Sequence, residues 1–360
     1  MISKNFLLNK ERGVITSENI EDFINFKESQ KEMKIIGTHN GTFHSDEVLS
    51  TLLLKYYPYS QKSIIIRTRN NEILKECDII VDIGNIIDPK TFRFDHHMEE
   101  FKEVFDEKYE KLNKIKLSSA GLIWKYLGYE ILKNILKSIN LLEQNRDYLE
   151  EMHKKIYLDF IMGVDAIDNG INQYDKDLKP KYKLAGEFSS RISRLNPEWN
   201  SENIDVNERF KKAWDVCEDE FFFHIKNYAN SYFIAYDIVL KSVKEALKGK
   251  KLYFILDHYC PWKNVIYEIE EKLNIKDKFL YCIHPGSNNR WTSTAININE
   301  NSMELRKPFP KEWRGKTDKE LQKITGIKDA IFVHVNGFVS FWKYKKSAIK
   351  ATEISIKFLN

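Results

Sequence analysis

The residues best suited to chemistry are histidines and aspartates that recur in short motifs along the first half of the chain. Four of the nine histidines lie in two of these motifs, at residues 37–47 and 94–97, and aspartates accompany them. The candidate residues are His39, His44, Asp46, Asp82, Asp95, His96, His97, Asp165 and Asp168. Imidazole and carboxylate groups clustered in this way are typical of a metal or catalytic site.

Together these groups could hold two divalent cations. A dinuclear site with metals about 3.5–4 Å apart needs a bridging ligand, and Asp82 is the candidate because its two oxygens can face two metals. Mixed imidazole and carboxylate ligands suit Mn²⁺, Zn²⁺, Fe²⁺ or Co²⁺ better than Ca²⁺, which prefers oxygen alone. Such cations would activate a shared water as hydroxide and neutralise charge on a phosphoryl group. The pattern predicts a metal-dependent phosphoesterase whose catalytic residues are Asp82, Asp95, His96 and His97.

Alternating strands and helices would position these side chains. The predicted strands are 34–39, 63–68, 79–83 and 91–95, and the predicted helices are 46–57, 118–127 and 149–166. We expect Gly128 to end the second helix. This alternation predicts an α/β fold with a mainly parallel sheet flanked by helices. Because such sheets bind ligands at the carboxyl ends of their strands, the motifs would meet in one crevice.

Each motif taken alone has a simpler explanation. A single histidine at a strand end is more often a hydrogen-bonded structural group, and an aspartate there is more often a turn or helix cap. The dipeptide His96-His97 is weak evidence by itself. Four histidines and four aspartates near predicted strand ends, taken jointly, favour the metal site over coincidence.

The length of the chain suits two domains, and the second half predicts a smaller α/β domain. A polar stretch at 169–207 interrupts the alternation, and a long helical pattern follows at about 208–249. The expected organisation is an N-terminal extension at 1–31, a metal-binding catalytic domain at 32–205, a helical connector at 206–250 and a substrate-binding domain at 251–360.

Composition argues against a membrane span and a disulfide framework. No apolar run approaches the ~20 residues that a membrane helix needs. The four cysteines are scattered without a C-x-x-C pair, which favours a reducing compartment. We expect an intracellular protein of the cytoplasm or nucleus, with the mitochondrion as an alternative because the N-terminus is mildly basic. The oligomeric state is open, with a homodimer among the alternatives.

Positive charge is concentrated near the C-terminus. Residues 285–350 contain 13 Lys or Arg and 6 Asp or Glu, in a chain whose net charge is +4. This excess suits a phosphate-bearing substrate, although a solvated lysine-rich surface would give the same count. Guanidinium groups bind phosphate oxygens, and aromatic rings stack on bases. Trp291 and Trp313 are therefore either stacking surfaces or core residues. The predicted substrate contacts in this segment are Arg290, Arg306, Arg314 and His334.

Seven short motifs give the chain a family resemblance. They lie at 37–47, 93–97, 117–124, 165–170, 306–310, 313–315 and 332–338. On these motifs the chain resembles the DHH phosphoesterase superfamily and, within it, the Myg family (melanocyte-proliferating-gene type) of metal-dependent 3′–5′ RNA exonucleases. The resemblance runs from about residue 34 to the C-terminus. It implies a DHH-type catalytic domain, single-stranded RNA or a short oligonucleotide as substrate, and two divalent metal ions, with Mn²⁺ favoured over Mg²⁺, Zn²⁺ and Co²⁺.

The resemblance also implies roles for individual residues. The implied metal ligands are His39, His44, Asp46, Asp82, His96 and Asp165. His97 would lie slightly outward and contact a phosphate oxygen, and Asp95 would orient a histidine through its ring N–H. Asp168 would be a supporting residue or a turn former.

The chain departs from the family pattern in two places. The spacing from His39 to Asp46 is one residue longer than the common DHH opening, which leaves the assignment of His44 less direct. Bulky residues at 339–343 replace an expected glycine-rich turn, so that either a phosphate contact is lost or Trp342 offers a stacking surface.

Two other functions fit the same residues. One is a DHH hydrolase of a small phosphate substrate, such as pyrophosphate, a dinucleotide or a short oligonucleotide. The other is a non-catalytic nucleic-acid-binding protein of the same fold. The complete ligand set argues against the second, because a silent site usually loses ligands. Arginine and tryptophan in the second half favour nucleotides over pyrophosphate, which has no base to stack.

Overall fold

The computed structural model describes residues 13–106, 115–175, 177, 178, 182 and 186–358 of the chain. The chain divides into two compact units, Met1–Lys226 (unit 1) and Asn227–Asn360 (unit 2). The division falls inside the predicted connector, 206–250. Trp214 is buried in unit 1, and Val239 lies in a core cluster of unit 2. The two halves of the predicted connector therefore belong to two different cores.

Unit 1 contains a parallel-rich sheet flanked by helices, as predicted. Its strands are β1 Val14–Thr16, β2 Lys34–Thr38, β3 Ser63–Arg67, β4 Ile79–Val81, β5 Ile87–Asp88 and β6 Arg93–Phe94. Its helices are α1 Ile20–Ser29, α2 Ser45–Tyr56, α3 Asn71–Lys75, α4 Ser119–Ser138, α5 Leu142–Asn145, α6 Leu149–Ile156, α7 Met162–Asp168, α8 Phe188–Ser193 and α9 Val206–Asn227. Among the described residues the strand order is β1-β3-β2-β4-β6-β5, and only β5 runs antiparallel to its neighbour.

The central strands of this sheet are almost completely buried because both of its faces are covered. All five residues of β3 are buried, the pattern expected of a parallel strand between helical layers. Gly37 in β2 permits close packing, since a Cβ there would lie 2.9 Å from Cys77 Sγ and 3.0 Å from Leu74 Cδ2. A side chain at this position would push α3 and the turn after it away from the sheet.

The order of the strands defines where a ligand would bind. β2 lies between β3 and β4. The chain passes from β2 to β3 on one side, whereas from β4 it continues to β5 and β6 on the other. The carboxyl ends of β2 and β4 therefore flank the point where the winding reverses, which is the usual ligand position in open α/β sheets.

Two parts of unit 1 differ from the predicted elements. Part of the segment predicted as an N-terminal extension belongs to the fold, because β1 pairs with β3 and Phe23 of α1 is buried; residues 1–12 lie outside the described residues. The helix predicted to end at Gly128 continues to Ser138. A Cβ at Gly128 would lie 2.7 Å from His153 Nε2, so this glycine permits close helix packing instead of ending the helix.

Unit 2 is the smaller α/β unit. Its strands are β7 Tyr253–Ile255, β8 Tyr281–Pro285, β9 Trp291–Ala295, β10 Ala330–Val333 and β11 Val339–Trp342. Its helices are α10 Phe233–Lys248, α11 Trp262–Lys272, α12 Asp318–Thr325 and α13 Lys345–Lys357. The strand order is β10-β11-β9-β8-β7, with β7 and β8 parallel and the other pairs antiparallel.

The bulky segment at 339–343 forms strand β11 instead of a turn. Trp342 is completely buried, and its Nε1 donates to Ser340 Oγ at 2.8 Å, so its ring is not available as a stacking surface. The four cysteines are buried and unpaired. Within the described ranges, no helix combines the length and the apolar character needed to cross a membrane.

Candidate metal centre

Three strand ends and one helix start bring the predicted side chains together in unit 1. His39 follows β2, Asp82 follows β4, and His96 lies two residues after β6. Helix α2 begins at Ser45 and carries Asp46 in its first turn. These four side chains are buried, so the sequence motifs meet in the protein interior at the reversal point of the sheet.

Asp82 lies at the centre of the cluster and faces four imidazole rings. Its Oδ2 is 3.3 Å from His39 Nε2 and 3.5 Å from His44 Nε2. Its Oδ1 is 3.5 Å from His96 Nε2 and 3.7 Å from His97 Nδ1. Ligand atoms that share a metal with bonds of ~2.1 Å lie about 3 Å apart, so separations of this size are compatible with metal binding by these side chains.

Two carboxylates that the sequence interpretation did not assign as ligands complete the cluster. Glu47 lies 3.4 Å from His39 Nε2 and 3.0 Å from His44 Nδ1. Asp168 lies 3.0 Å from His96 Nε2 and 3.5 Å from His44 Nδ1. Glu47 stands beside Asp46 in the first motif, so its position in the sequence was the only available signal. The sequence leaves the role of Asp168 open.

The donor atoms form three overlapping groups in which they lie within 4.8 Å of one another. The groups are His39, His44, Glu47 and Asp82; Asp82, His96 and His97; and Asp46, His96 and Asp168. His39 Nε2, His96 Nε2 and both carboxylate oxygens of Asp82 are buried without a hydrogen-bond partner. Burial of unpaired polar atoms is unfavourable, and divalent cations would satisfy all of them. The residues present therefore fit a metal site.

The carboxylate of Asp46 is held by the N-terminus of α4. Its Oδ1 accepts from Ser118 Oγ at 2.7 Å and from the Ala120 amide at 2.6 Å. Its Oδ2 accepts from the Ser119 amide at 3.0 Å and lies 3.7 Å from His96 Nε2. The amide groups at the start of a helix favour an anion, which accounts for the complete burial of this aspartate.

Asp165, a predicted ligand, lies behind this helix start. Its Oδ1 accepts from the Ser118 amide at 3.0 Å and contacts Ser118 Oγ at 2.8 Å. Asp165 is not a member of the three donor groups, whereas Asp168, one turn later in α7, is. The ligand role of Asp165 stays a prediction, and Asp168 is the acid that the structure brings next to His96.

The charges of the cluster shift the proton affinities of its members. Burial alone would raise the pKa of Asp82, but the adjacent imidazoles of His39 and His96 lower it well below the usual range. Burial would lower the pKa of His96, but the adjacent carboxylates of Asp168 and Asp82 raise it to about 11. Burial, with the charges of Asp82 and Asp168, raises the pKa of Asp46 to about 8. Without metal the site thus retains protons that bound cations would displace.

Asp95 organises the loop that carries the two adjacent histidines. Its Oδ1 lies 2.7 Å from His97 Nδ1 and accepts from the His96 amide at 2.8 Å. Its Oδ2 accepts from the Asn85 amide at 2.6 Å. Because an ionised carboxylate only accepts, Nδ1 of this half-exposed His97 ring carries the proton, and Nε2 is its acceptor nitrogen.

Arg306, a predicted substrate contact, is paired with other residues of unit 2. Arg306 contacts Glu270 through both terminal nitrogens at 2.8 Å and donates to the Phe279 carbonyl at 2.9 Å. Its side chain is only 5% exposed. Trp313 is also buried, in the unit 2 core. This geometry supports structural roles for both residues and does not support a phosphate contact at Arg306.

The other predicted contacts of unit 2 are partly exposed. The guanidinium of Arg290 lies 4.0 Å from the ring centroid of Phe341. Arg314 packs against Gly337, where a Cβ would lie 2.7 Å from its Nε, and His334 is in the same turn. Arg314 and His334 are therefore neighbours, and their contact with a substrate stays a prediction.

Comparison with known proteins shows the family of the chain. A family model described as "Uncharacterised protein family (UPF0160)", MYG1 exonuclease, matches residues 35–356. The chain belongs to the MYG1 family. The MYG1 protein of Dictyostelium discoideum is 36% identical over 330 residues, which cover 90% of this chain and 96% of the relative. The predicted Myg resemblance is confirmed.

Other MYG1 relatives match over a similar length. The MYG1 protein of Schizosaccharomyces pombe is 38% identical over 84% of this chain and 91% of its own. The MYG1 exonuclease of Homo sapiens is 33% identical over 89% of this chain and 85% of its own. A solved structure of an exopolyphosphatase-related protein from Bacteroides fragilis covers 94% of this chain and 96% of its own at 12% identity, with a TM-score of 0.21. That likeness is too weak to support an argument.

Proposed function

We propose that this MYG1 family member is a metal-dependent phosphodiester hydrolase of the DHH superfamily that removes nucleotides from the 3′ end of single-stranded RNA. The observation that carries the proposal is the buried carboxylate of Asp82, whose two unpaired oxygens each face two imidazole nitrogens. The name of the human relative, MYG1 exonuclease, supports a nucleic acid as the substrate.

Two divalent cations, Mn²⁺ by preference over Mg²⁺, Zn²⁺ or Co²⁺, are the proposed cofactors. The first would be held by His39, His44, Glu47 and Asp82, and the second by Asp46, Asp82, His96 and Asp168. When bound, they would supply a water acidic enough to attack phosphorus and would stabilise charge on the phosphoryl group.

Other residues of the chain would orient the side chains of the site and bind the substrate. The N-terminus of α4 fixes Asp46, and Asp95 fixes the ring of His97. We assign His97 Nε2 to a phosphate oxygen because the ring is 55% exposed beside the buried donors. Arg290, Arg314 and His334 are the proposed substrate contacts in unit 2.

A hydrolase of small phosphate substrates is the second candidate. It is favoured by the engagement of Arg306 with Glu270 and by the burial of Trp313 and Trp342, which remove three groups from the expected polynucleotide contacts. A dinucleotide needs fewer contacts than a longer strand.

The decisive experiment supplies metal-depleted protein with Mn²⁺ and follows 5′-labelled single-stranded RNA, a dinucleotide and pyrophosphate in parallel. Stepwise shortening of the RNA from its 3′ end is the expected result, and a matched DNA strand tests the choice of sugar. Cleavage of the dinucleotide or pyrophosphate alone would favour the second candidate. Absence of all cleavage with each of the four cations would refute both.

A further inference from the structure

The orientation of Asp46 determines whether it can reach a metal. The two shortest hydrogen bonds to its Oδ1 come from residues at the start of α4, and a longer one of 3.4 Å comes from Ser50 Oγ in α2. One further amide of α4, that of Ser119, binds Oδ2. A carboxylate oxygen has two lone pairs, so Oδ1 is saturated and Oδ2 keeps one toward His96. The donors of α4 therefore select the oxygen that faces the candidate cation.

Ser118 links this carboxylate to a second one. Its hydroxyl lies 2.7 Å from Asp46 Oδ1 and 2.8 Å from Asp165 Oδ1. Its amide also donates to Asp165 Oδ1, at 3.0 Å. The hydroxyl has one proton and donates it to one carboxylate at a time, whereas the amide of Ser118 donates to Asp165 in either case. Asp165 therefore acts on Asp46 through Ser118.

Gly121 brings Asp165 against the first turn of α4. A Cβ at this position would lie 2.4 Å from Asp165 Oδ1 and 2.5 Å from Oδ2, closer than real Cβ contacts come. Any larger residue would displace the carboxylate from Ser118. The glycine in the Leu117–Trp124 motif is accounted for by this close approach.

We infer that Ser118 and Asp165 are positioning residues that orient Asp46 toward the metal, and that Asp165 is not itself a ligand. The inference rests on the proposed metal centre. Three observations support it: Asp165 is completely buried, it lies outside the donor groups, and Asp168 holds the place beside His96. Partners of this kind typically alter metal affinity by ~10–100-fold.

The test measures Mn²⁺ binding to the full-length protein by calorimetry and by the spin resonance of free Mn²⁺, with no substrate present. Asp168→Asn is expected to lose one bound equivalent. Asp165→Asn and Ser118→Ala should keep the wild-type stoichiometry and weaken the affinity of one site by ~10–100-fold. Because both act through one hydroxyl, the double variant should be no weaker than the more severe single variant. Ser118→Thr, which keeps the hydroxyl, should restore most of the affinity.

The outcomes separate this inference from the function on which it rests. Loss of a whole equivalent in Asp165→Asn, or unchanged affinity in Ser118→Ala, would overturn the inference while the metal centre stands. A wild-type protein that binds no Mn²⁺, Mg²⁺, Zn²⁺ or Co²⁺ would overturn the metal centre and the inference together. Thermal unfolding of each metal-free variant identifies a general folding defect, and Ser118→Thr then provides the folded comparison.

Discussion

The candidate metal centre of unit 1 and the basic segment of unit 2 are both predicted from residue types, but their side chains make different contacts. In unit 1 the candidate side chains face one another, and several buried atoms have no partner. In unit 2 the most buried candidate, Arg306, is paired with Glu270. A cluster of buried, unpaired donor atoms that face one another indicates a missing ligand, whereas a buried guanidinium that binds a carboxylate through both terminal nitrogens indicates a structural role.

The difference follows from what each prediction used. The prediction for unit 1 rests on residues that follow predicted strands. The carboxyl ends of parallel strands meet at one edge of the sheet, whatever sequence lies between the strands. The prediction for unit 2 rests on net charge, and a guanidinium can pair with any carboxylate that the fold supplies. Glu270 lies 36 residues from Arg306 in the sequence, in α11, where no local pattern reveals the pairing.

The largest effect is expected for Asp82→Asn. The backbone φ of Asp82 is +58°, a conformation that Asn tolerates well, so the metal-free variant should unfold at nearly the wild-type temperature. Loss of the shared carboxylate should reduce RNA hydrolysis by at least ~1,000-fold, or about 4 kcal/mol in activation free energy. Rate measurements beside Asp147→Asn, an exposed acid of the same unit, test this. Activity within a few-fold of wild type would exclude Asp82 as the bridge.

The sequence predicted the parallel sheet and most of the donors of the metal centre, and it failed where contacts are long-range. His39, Asp82 and His96 were found because each follows an apolar run. Glu47 was missed because it looked like an ordinary helix-start acid beside Asp46. The family resemblance implies Asp165 as a ligand, whereas the structure places Asp168, one turn later in α7, next to His96.

The second prediction concerns Arg306 of unit 2, which is paired with Glu270. Arg306→Ala should reduce the free energy of unfolding by ~3–5 kcal/mol, because it leaves the buried charge of Glu270 unpaired. The Michaelis constant of the remaining folded protein should be unchanged. Arg290→Ala is the matched control, since this guanidinium stacks on Phe341 near the surface. It should change stability little and should weaken RNA binding. A stable Arg306→Ala protein with weakened RNA binding would reverse the roles assigned here.

A smaller effect is expected at two helical glycines of unit 1. Gly121→Ala would force a Cβ against Asp165, and overpacking of this kind typically costs about 1–3 kcal/mol. Gly163→Ala, in α7, meets no atom within 4 Å and should stabilise the protein by up to ~1 kcal/mol. Chemical denaturation of both variants measures the contrast. Equal effects at the two sites would mean that Asp165 can move away from α4 without loss.

The smallest expected effect is on the pH dependence of stability, and it follows from a comparison of buried histidines in the two units. Burial would lower the pKa of His39 in unit 1, but the adjacent carboxylates of Asp82 and Glu47 raise it. In unit 2, burial lowers the pKa of His284, which donates from Nδ1 to the Pro285 carbonyl at 2.9 Å.

His284 should therefore make unit 2 less stable in acid. Since its folded pKa is depressed, the unfolded chain binds the proton first, and stability is lost as the pH falls below the ordinary value of 6.5. His284→Asn keeps a donor for the carbonyl and cannot be protonated. Thermal unfolding at about pH 7.5 and about pH 5.5 should show a smaller acid-induced decrease in the variant than in wild type. Equal decreases would mean that the folded unit accommodates protonated His284. The protonation of His284 would then not distinguish it from the histidines of the candidate metal centre.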